Sequence, residues 1–129
     1  MKSYKDLMVW NKSMDLVSAI YLLTKSLSED EKFGLISQMK RSSISIPSNI
    51  AEGWGRGSSK SYTLFLKNSR GSLLELETQI ELCKRLSLVS EVDLELINSL
   101  MIEVSKMLNS MIKKMNDRIK KGESQKSLN

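Results

Sequence analysis

The chain has no histidine and one cysteine, Cys83. Without imidazole there is no ordinary base for a Ser or Cys nucleophile, and no His-containing zinc or bundle-type di-iron site. A single thiol closes no intramolecular disulfide. Proline occurs once, at Pro47, glycine six times, and aromatic residues make up only 5% of the 129 residues. Disordered and fibrous chains carry more Pro and Gly, and sheet cores lean on aromatics, so neither class fits. Long apolar runs are missing as well. The longest stretch free of charge, Ser42 to Ala51, is polar and interrupted by Pro47, whereas a membrane span needs ~20 mostly apolar residues. Met1 to Trp10 holds Lys2, Lys5 and Asp6 with no apolar run behind them. No signal peptide is therefore expected, and with an unpaired cysteine the expected location is the cytoplasm.

Hydrophobic residues are 40% of the chain, charged residues 27%, and Met numbers 8. That is enough to bury one core built from Leu, Ile, Val and Met, and the length suits one domain. Four segments repeat apolar residues at spacings of three and four. The first, about Lys5 to Leu27, carries the seam Leu7, Trp10, Met14, Val17, Tyr21 and a second stripe Val9, Leu16, Ile20, Leu23, Leu27, with Ser3 and Asp6 as its N-terminal cap. Two stripes on one helix call for two partners. The second opens at a Ser28/Glu31 capping box and repeats Phe33, Ile36, Met39, Ser43, Ile46 and Ile50, with a kink expected at Pro47. Ser42, Ser45, Ser48 and Asn49 crowd that proline and can satisfy the freed backbone groups. Gly53 to Ser59 is expected as a loop.

The third segment, Ser59 to Leu86, has the most regular seam: Tyr62, Leu66, Ser69, Leu73, Leu76, Ile80, Cys83. Gly71 inside it costs roughly 1 kcal/mol of helix propensity, which implies close approach of another backbone or a ligand. Ser87 to Ser90 is a short turn. Ser90 and Asp93 then cap the fourth segment, whose seam Ile97, Met101, Val104, Leu108, Met111, Met115 runs to about Lys120. The expected fold is all-α: an antiparallel up-down-up-down four-helix bundle over residues 1–121, with a disordered polar tail over 122–129.

Net charge is +5, but it alternates in sign along the chain. Residues 1–31 carry −1, 32–70 carry +6, 71–104 carry −5 and 105–121 carry +5. On antiparallel helices such blocks place a basic end and an acidic end on one body. Lys40, Arg41, Arg56, Lys60, Lys67 and Arg70 flank the turn between the second and third helices, where they suit phosphate oxygens. Lys113, Lys114, Arg118, Lys120 and Lys121 close the fourth helix, a position that the helix dipole also favours. Gly53, Gly55 and Gly57 ahead of Lys60 imitate a phosphate loop, but Ser59 stands where a P-loop has Gly and Ser58 where a dinucleotide fingerprint has it. What survives is an isolated phosphate on Arg56 and the next helix's first amides. Cys83 reads as core, and Glu75, Glu77 and Glu81 as a solvated face. No catalytic site assembles, and no cofactor or metal is expected.

Phe33-Gly34-Leu35 with Gln38 and Lys40-Arg41, the stretch from Ser45 to Gly53 (SIPSNIAEG), Gly55-Arg56, Gly71-Ser72, and Glu75-Leu76 with Gln79 closely resemble the 23S rRNA intervening-sequence protein family of bacteria. Leu7 to Trp10 resembles the family's start. The resemblance implies a four-helix bundle assembled into a ring, typically a homopentamer, with a basic surface for nucleic acid and no enzymatic activity. It also implies likeness in fold to accessory proteins of diversity-generating retroelements, which bind a reverse transcriptase and nucleic acid. Carried over by position, the nucleic-acid-binding residues are Lys40, Arg41, Arg56 and Arg70. Lys40 stands where the family usually has Arg, keeping charge but losing a planar fork. The expected function is binding of RNA or DNA backbone with little sequence preference. The alternative is an adaptor docking a protein such as a reverse transcriptase.

Overall fold

The computed structural model describes the backbone of residues 2–128, and their side chains except those of Lys32, Phe33 and 123–128. Among the described residues there are four long helices and no strand: α1 Met8–Thr24, α2 Ser37–Trp54, α3 Ser59–Arg85 and α4 Glu91–Leu128. Side-chain contacts tie each helix to its neighbours. Lys12 of α1 faces Glu103 of α4 at 3.0 Å, Lys40 of α2 faces Tyr21 of α1, Ser42 faces Gln79 and Ser72 faces Ser45 across α2 and α3, and Arg70 of α3 faces Asn109 of α4. None of these helices is long and apolar enough to cross a membrane.

The α3 and α4 boundaries follow the sequence. Ser58 accepts a hydrogen bond from the Ser61 amide. Ser90 and Asp93 cap α4 reciprocally, Ser90 N–H to the Asp93 carboxylate at 3.1 Å and Asp93 N–H to the Ser90 hydroxyl at 3.3 Å. The Ser3/Asp6 box forms too, but it closes a separate 3-10 turn, Tyr4–Asp6. Leu7 is then extended, and α1 starts without a side-chain cap. The segment after Ser28 is not one helix. A 3-10 turn, Glu29–Glu31, leads into a π turn, Lys32–Ile36, and at Gly34 (φ −103°, ψ −111°) the backbone leaves helical geometry before α2. Pro47 sits buried inside a continuous α2. Ser48 donates to the Ile44 carbonyl and Asn49 to the Ser45 carbonyl, each at 2.8 Å.

The core is aliphatic. Leu16, Ile20, Met39, Ile46, Ile50, Leu66, Leu73, Leu76, Leu94, Val104 and Leu108 are all fully buried. The stripe that fills it is Val9, Leu16, Ile20 and Leu23 of α1, with Leu27 just beyond its end. Of the other seam, Leu7 and Trp10 pack on the edge of the core, but Met14 and Tyr21 are 42% and 37% exposed. With Tyr4, Trp10, Val17, Ile44, Pro47, Ser48 and Ala51, Met14 lines a groove of about 360 Å³ between α1 and α2. Both stripes are equally apolar, so only the position of α2 and α4 selects between them.

Two glycines exchange roles relative to expectation. Gly71 is exposed, and a Cβ built there meets nothing within 4 Å, so no close approach within the chain accounts for it. Gly53, expected in the loop, is a buried residue of α2, where a Cβ would stand 2.6 Å from Phe65 Cβ and 3.1 Å from Tyr62 Cδ1. The loop proper is Gly55–Ser58, with a left-handed residue at Gly57 (φ +81°). The α4 backbone is helical on through Leu128. Asn129 and the side chains of 123–128, on which the expected polar tail falls, lie outside the described residues.

Candidate nucleic-acid interface

The four basic residues singled out from the sequence stand on different parts of the bundle. Lys40 Nζ lies 4.7 Å from the centre of the Tyr21 ring, against α1. Arg70 donates to Asn109 Oδ1 at 3.1 Å, against α4. Arg56 follows the end of α2, where its guanidinium pairs with Glu52 at 3.0 Å and stacks 4.8 Å from the centre of the Phe65 ring. Arg41 is exposed near the opposite end of α2. At 1.5 Å per residue it is separated from Arg56 by roughly 20 Å.

The second half of α4 gathers charge more densely. Lys113, Lys114, Arg118, Lys120 and Lys121 are exposed, and none has an ion-pair partner among the described residues. Arg70 meets Asn109, and Lys84 pairs with Glu91 at 3.5 Å across the turn between α3 and α4, a register that brings residues near 120 level with the start of α3. The dipole of α4 does not account for these cations, because it acts within the last turn and the helix continues to Leu128. At the other end stand Glu29, Asp30 and Glu31 after α1, Glu77 and Glu81 late in α3, and Glu91 and Asp93 opening α4. Lys84 and Arg85 stand at that end too, but paired with Glu81 and Glu91, so the uncompensated cations are those on the second half of α4.

A feature that sequence reasoning missed is a polar cleft of about 410 Å³ between α2 and α3, lined by Gln38, Arg41, Ser42, Ser45, Ser72, Glu75 and Gln79. Serines let the two helices close. Ser42 Oγ bonds Gln79 Oε1 at 2.7 Å, Ser72 Oγ bonds Ser45 Oγ at 2.8 Å, and the buried Ser69 donates to the Ile46 carbonyl at 2.8 Å. No periodicity in the sequence marks it: Ser42, Ser45 and Ser72 each stand one position before a residue of the apolar seams, Ser43, Ile46 and Leu73. Glu75, read as part of a solvated face, is one rim of this cleft, and Arg41 is the other.

Among the described residues, three groups are held away from their ordinary values. Burial, with Glu31 adding, pushes the Cys83 thiol up, and its sulfur lies 3.8 Å from Met39 Sδ in the core. Burial likewise raises Tyr62, whose hydroxyl has no hydrogen-bond partner among the described residues. Asp93 is held below its usual value by the Ser90 N–H and then the Ser90 hydroxyl, a helix cap. At the basic end Tyr4 packs edge-on against both Trp10 and Trp54, with ring centres 5.3 and 6.4 Å apart, so Trp54 closes the bundle there.

Comparison with known proteins agrees with this geometry. A crystal structure of a protein of unknown function from the S23 ribosomal protein family of Bacteroides thetaiotaomicron superposes with a TM-score of 0.76 at 31% sequence identity. The match covers 82% of this chain and 99% of that one. No curated protein matches the chain. The family model described as 23S rRNA-intervening sequence protein matches residues 5–110, and the chain belongs to that family.

Proposed function

We propose that the chain is a non-enzymatic, cytoplasmic four-helix bundle of up-down-up-down course that forms a ring of identical copies, a homopentamer, and binds the phosphate backbone of RNA or DNA with little sequence preference. The observation that carries this reading is the cation cluster on the second half of α4, free of ion-pair partners among the described residues, level with Arg56 and far from the acidic end. Backbone phosphates need flexible, exposed, uncompensated cations more than any fixed geometry. In this reading Lys113, Lys114, Arg118, Lys120 and Lys121 make the principal contacts together with Arg56. Lys40, Arg41 and Arg70 lie off that end and contribute less. A few phosphates held per copy give weak binding, and a ring multiplies them.

The groove between α1 and α2 supports self-association, since a lone bundle leaves Met14, Val17 and Ile44 open to water. The same groove favours the second reading, an adaptor that docks a protein such as a reverse transcriptase. Size exclusion with light scattering reports the copy number. Titration of labelled RNA and duplex DNA at several salt concentrations then separates the readings. Lys113→Ala with Lys114→Ala and Arg118→Ala should weaken all ligands alike and flatten the salt slope by about 0.9 for each phosphate that is no longer neutralised. Absence of binding at low salt by an oligomeric wild type favours the adaptor.

A further inference from the structure

The polar cleft between α2 and α3 is unsuited to phosphate. Its two ionic groups, Arg41 on α2 and Glu75 on α3, have opposite sign, so an anion drawn by one is repelled by the other. Neither group has an ion-pair or hydrogen-bond partner among the described residues. The floor also offers an unused group: Gln79 is only 8% exposed, and a single hydrogen bond, to Ser42, is made by its amide. Whichever end of the amide meets Ser42, the other terminates in the cleft, as a donor pair or as an acceptor. Gln38 at the rim has the same dual character.

These groups define their ligand: it is neutral, with acceptors on one edge for a guanidinium fork and donors on another for a carboxylate. Among nucleobases, guanine has that arrangement. O6 and N7 accept from Arg in the commonest base-specific contact, while N1–H and the N2 amino group donate. Adenine sets a donor beside N7, and cytosine presents its donor and acceptors on one edge. The cleft volume, about 410 Å³, falls within the ~300–1,000 Å³ of small-ligand sites. We propose that this cleft takes an unpaired guanine, read by Arg41 on its O6/N7 edge and by Glu75 on its N1/N2 edge, with Gln38 and Gln79 completing its hydrogen bonds. The inference rests on the nucleic-acid reading for the base being part of a strand. The cleft chemistry serves the base of a free guanine nucleotide equally, with its phosphate outside the cleft.

Two measurements on the full chain test it. In the first, guanosine and adenosine monophosphates are added while the side-chain amide signals of Gln38 and Gln79 and the Arg41 Nε signal are followed by NMR. Saturable shifts with the guanine nucleotide and none with the adenine one are expected. In the second, uridine strands bearing one central G, A or C are titrated by fluorescence anisotropy. The G strand should bind about tenfold more tightly. Arg41→Gln and Glu75→Gln should each abolish that preference, so that the G strand binds no more tightly than the all-uridine strand titrated with the same variant. Equal binding of all strands without guanine-specific shifts overturns the proposal and leaves backbone binding standing. Guanine-specific shifts with no strand binding sustain the cleft and overturn the nucleic-acid reading. Preference retained by both variants overturns the assignment to this cleft.

Discussion

The α2–α3 interface and the packing of α1 and α4 on the core are built from different materials. Where α2 meets α3 the seam holds Ser42, Ser45, Ser69, Ser72 and Gly53, with hydrogen bonds of 2.7 to 2.8 Å crossing between the helices. Where α1 and α4 meet the core, the residues are Val9, Leu16, Ile20, Leu23, Ile97, Met101, Val104 and Leu108, and the cross-helix polar contact is the half-exposed pair Lys12–Glu103. The first interface depends on small size and fixed geometry, the second on volume. Position is therefore set most tightly between α2 and α3, which are also the helices that hold Arg41 and Glu75 apart across the cleft. Volume supplies most of the stability without fixing any side chain's direction.

The comparison breaks first on the aliphatic side. Leu108 is fully buried, and Leu108→Ala should lose ~2–5 kcal/mol through lost transfer energy and the cavity left behind. Urea denaturation measures it, and a loss below about 1 kcal/mol would mean that the core relaxes around the site. On the α2–α3 side the sensitive position is Gly53. A methyl group there stands 2.6 Å from Phe65 Cβ, which is attached directly to the α3 backbone and moves only with that helix. Gly53→Ala should therefore cost ~1–3 kcal/mol. Gly71→Ala should move the other way, gaining up to ~1 kcal/mol of helix propensity in open space. The opposite signs test the contrast. Should Gly71→Ala also destabilise, with a loss that depends on protein concentration, then the close approach at Gly71 lies in the oligomer.

These two glycines show where sequence reasoning stops. Helix propensity registers the cost of Gly71, and turn chemistry registers the cluster from Gly53 to Gly57, but neither registers which helix lies opposite. The α1 stripes present the same difficulty. Both have the right period, yet Met14 and Tyr21 stay 42% and 37% exposed along the α1–α2 groove while Leu16 and Ile20 are fully buried. By contrast the α3 seam from Leu66 to Cys83 is buried as its spacing requires, because one stripe on one helix leaves a single solution. The polar cleft was not legible because its residues, from Gln38 to Gln79, are separate in the chain and individually ordinary. Arg41 and Glu75 acquire meaning only across the groove.

A smaller effect is expected for one of the cross-helix bonds. Ser69→Ala removes the hydroxyl that reaches the Ile46 carbonyl at 2.8 Å, and should cost about 1 kcal/mol, the net worth of a typical intramolecular hydrogen bond. The carbonyl keeps its place in α2, so no larger penalty arises. Ser69→Val, which restores bulk without the donor, should do no better than Ala, because the seam is tight. A Val variant more stable than wild type would show that the α2–α3 interface is governed by volume after all, and the contrast with α1 and α4 would collapse.

The smallest effect concerns a helix end that both sequence and structure identify. Ser90 and Asp93 cap α4 reciprocally, and the bonds from Ser90 hold the Asp93 carboxyl below its usual range. A carboxylate whose folded value is depressed stabilises the fold at pH above its unfolded value, near ~3.9. That contribution is lost as pH falls through the lower folded value. Wild type should therefore exceed Asp93→Asn in stability at about pH 6, since the variant keeps an acceptor but carries no charge at the helix N-terminus. The difference should close toward about pH 2, below the usual carboxylate range. Thermal denaturation of both proteins across that interval measures the gap. Because Asp93 is exposed, added salt should also narrow it at neutral pH through screening of the charge–dipole attraction. A gap independent of both pH and salt would assign the cap's contribution to hydrogen-bond geometry alone, and the charge on Asp93 would then play no part in starting α4.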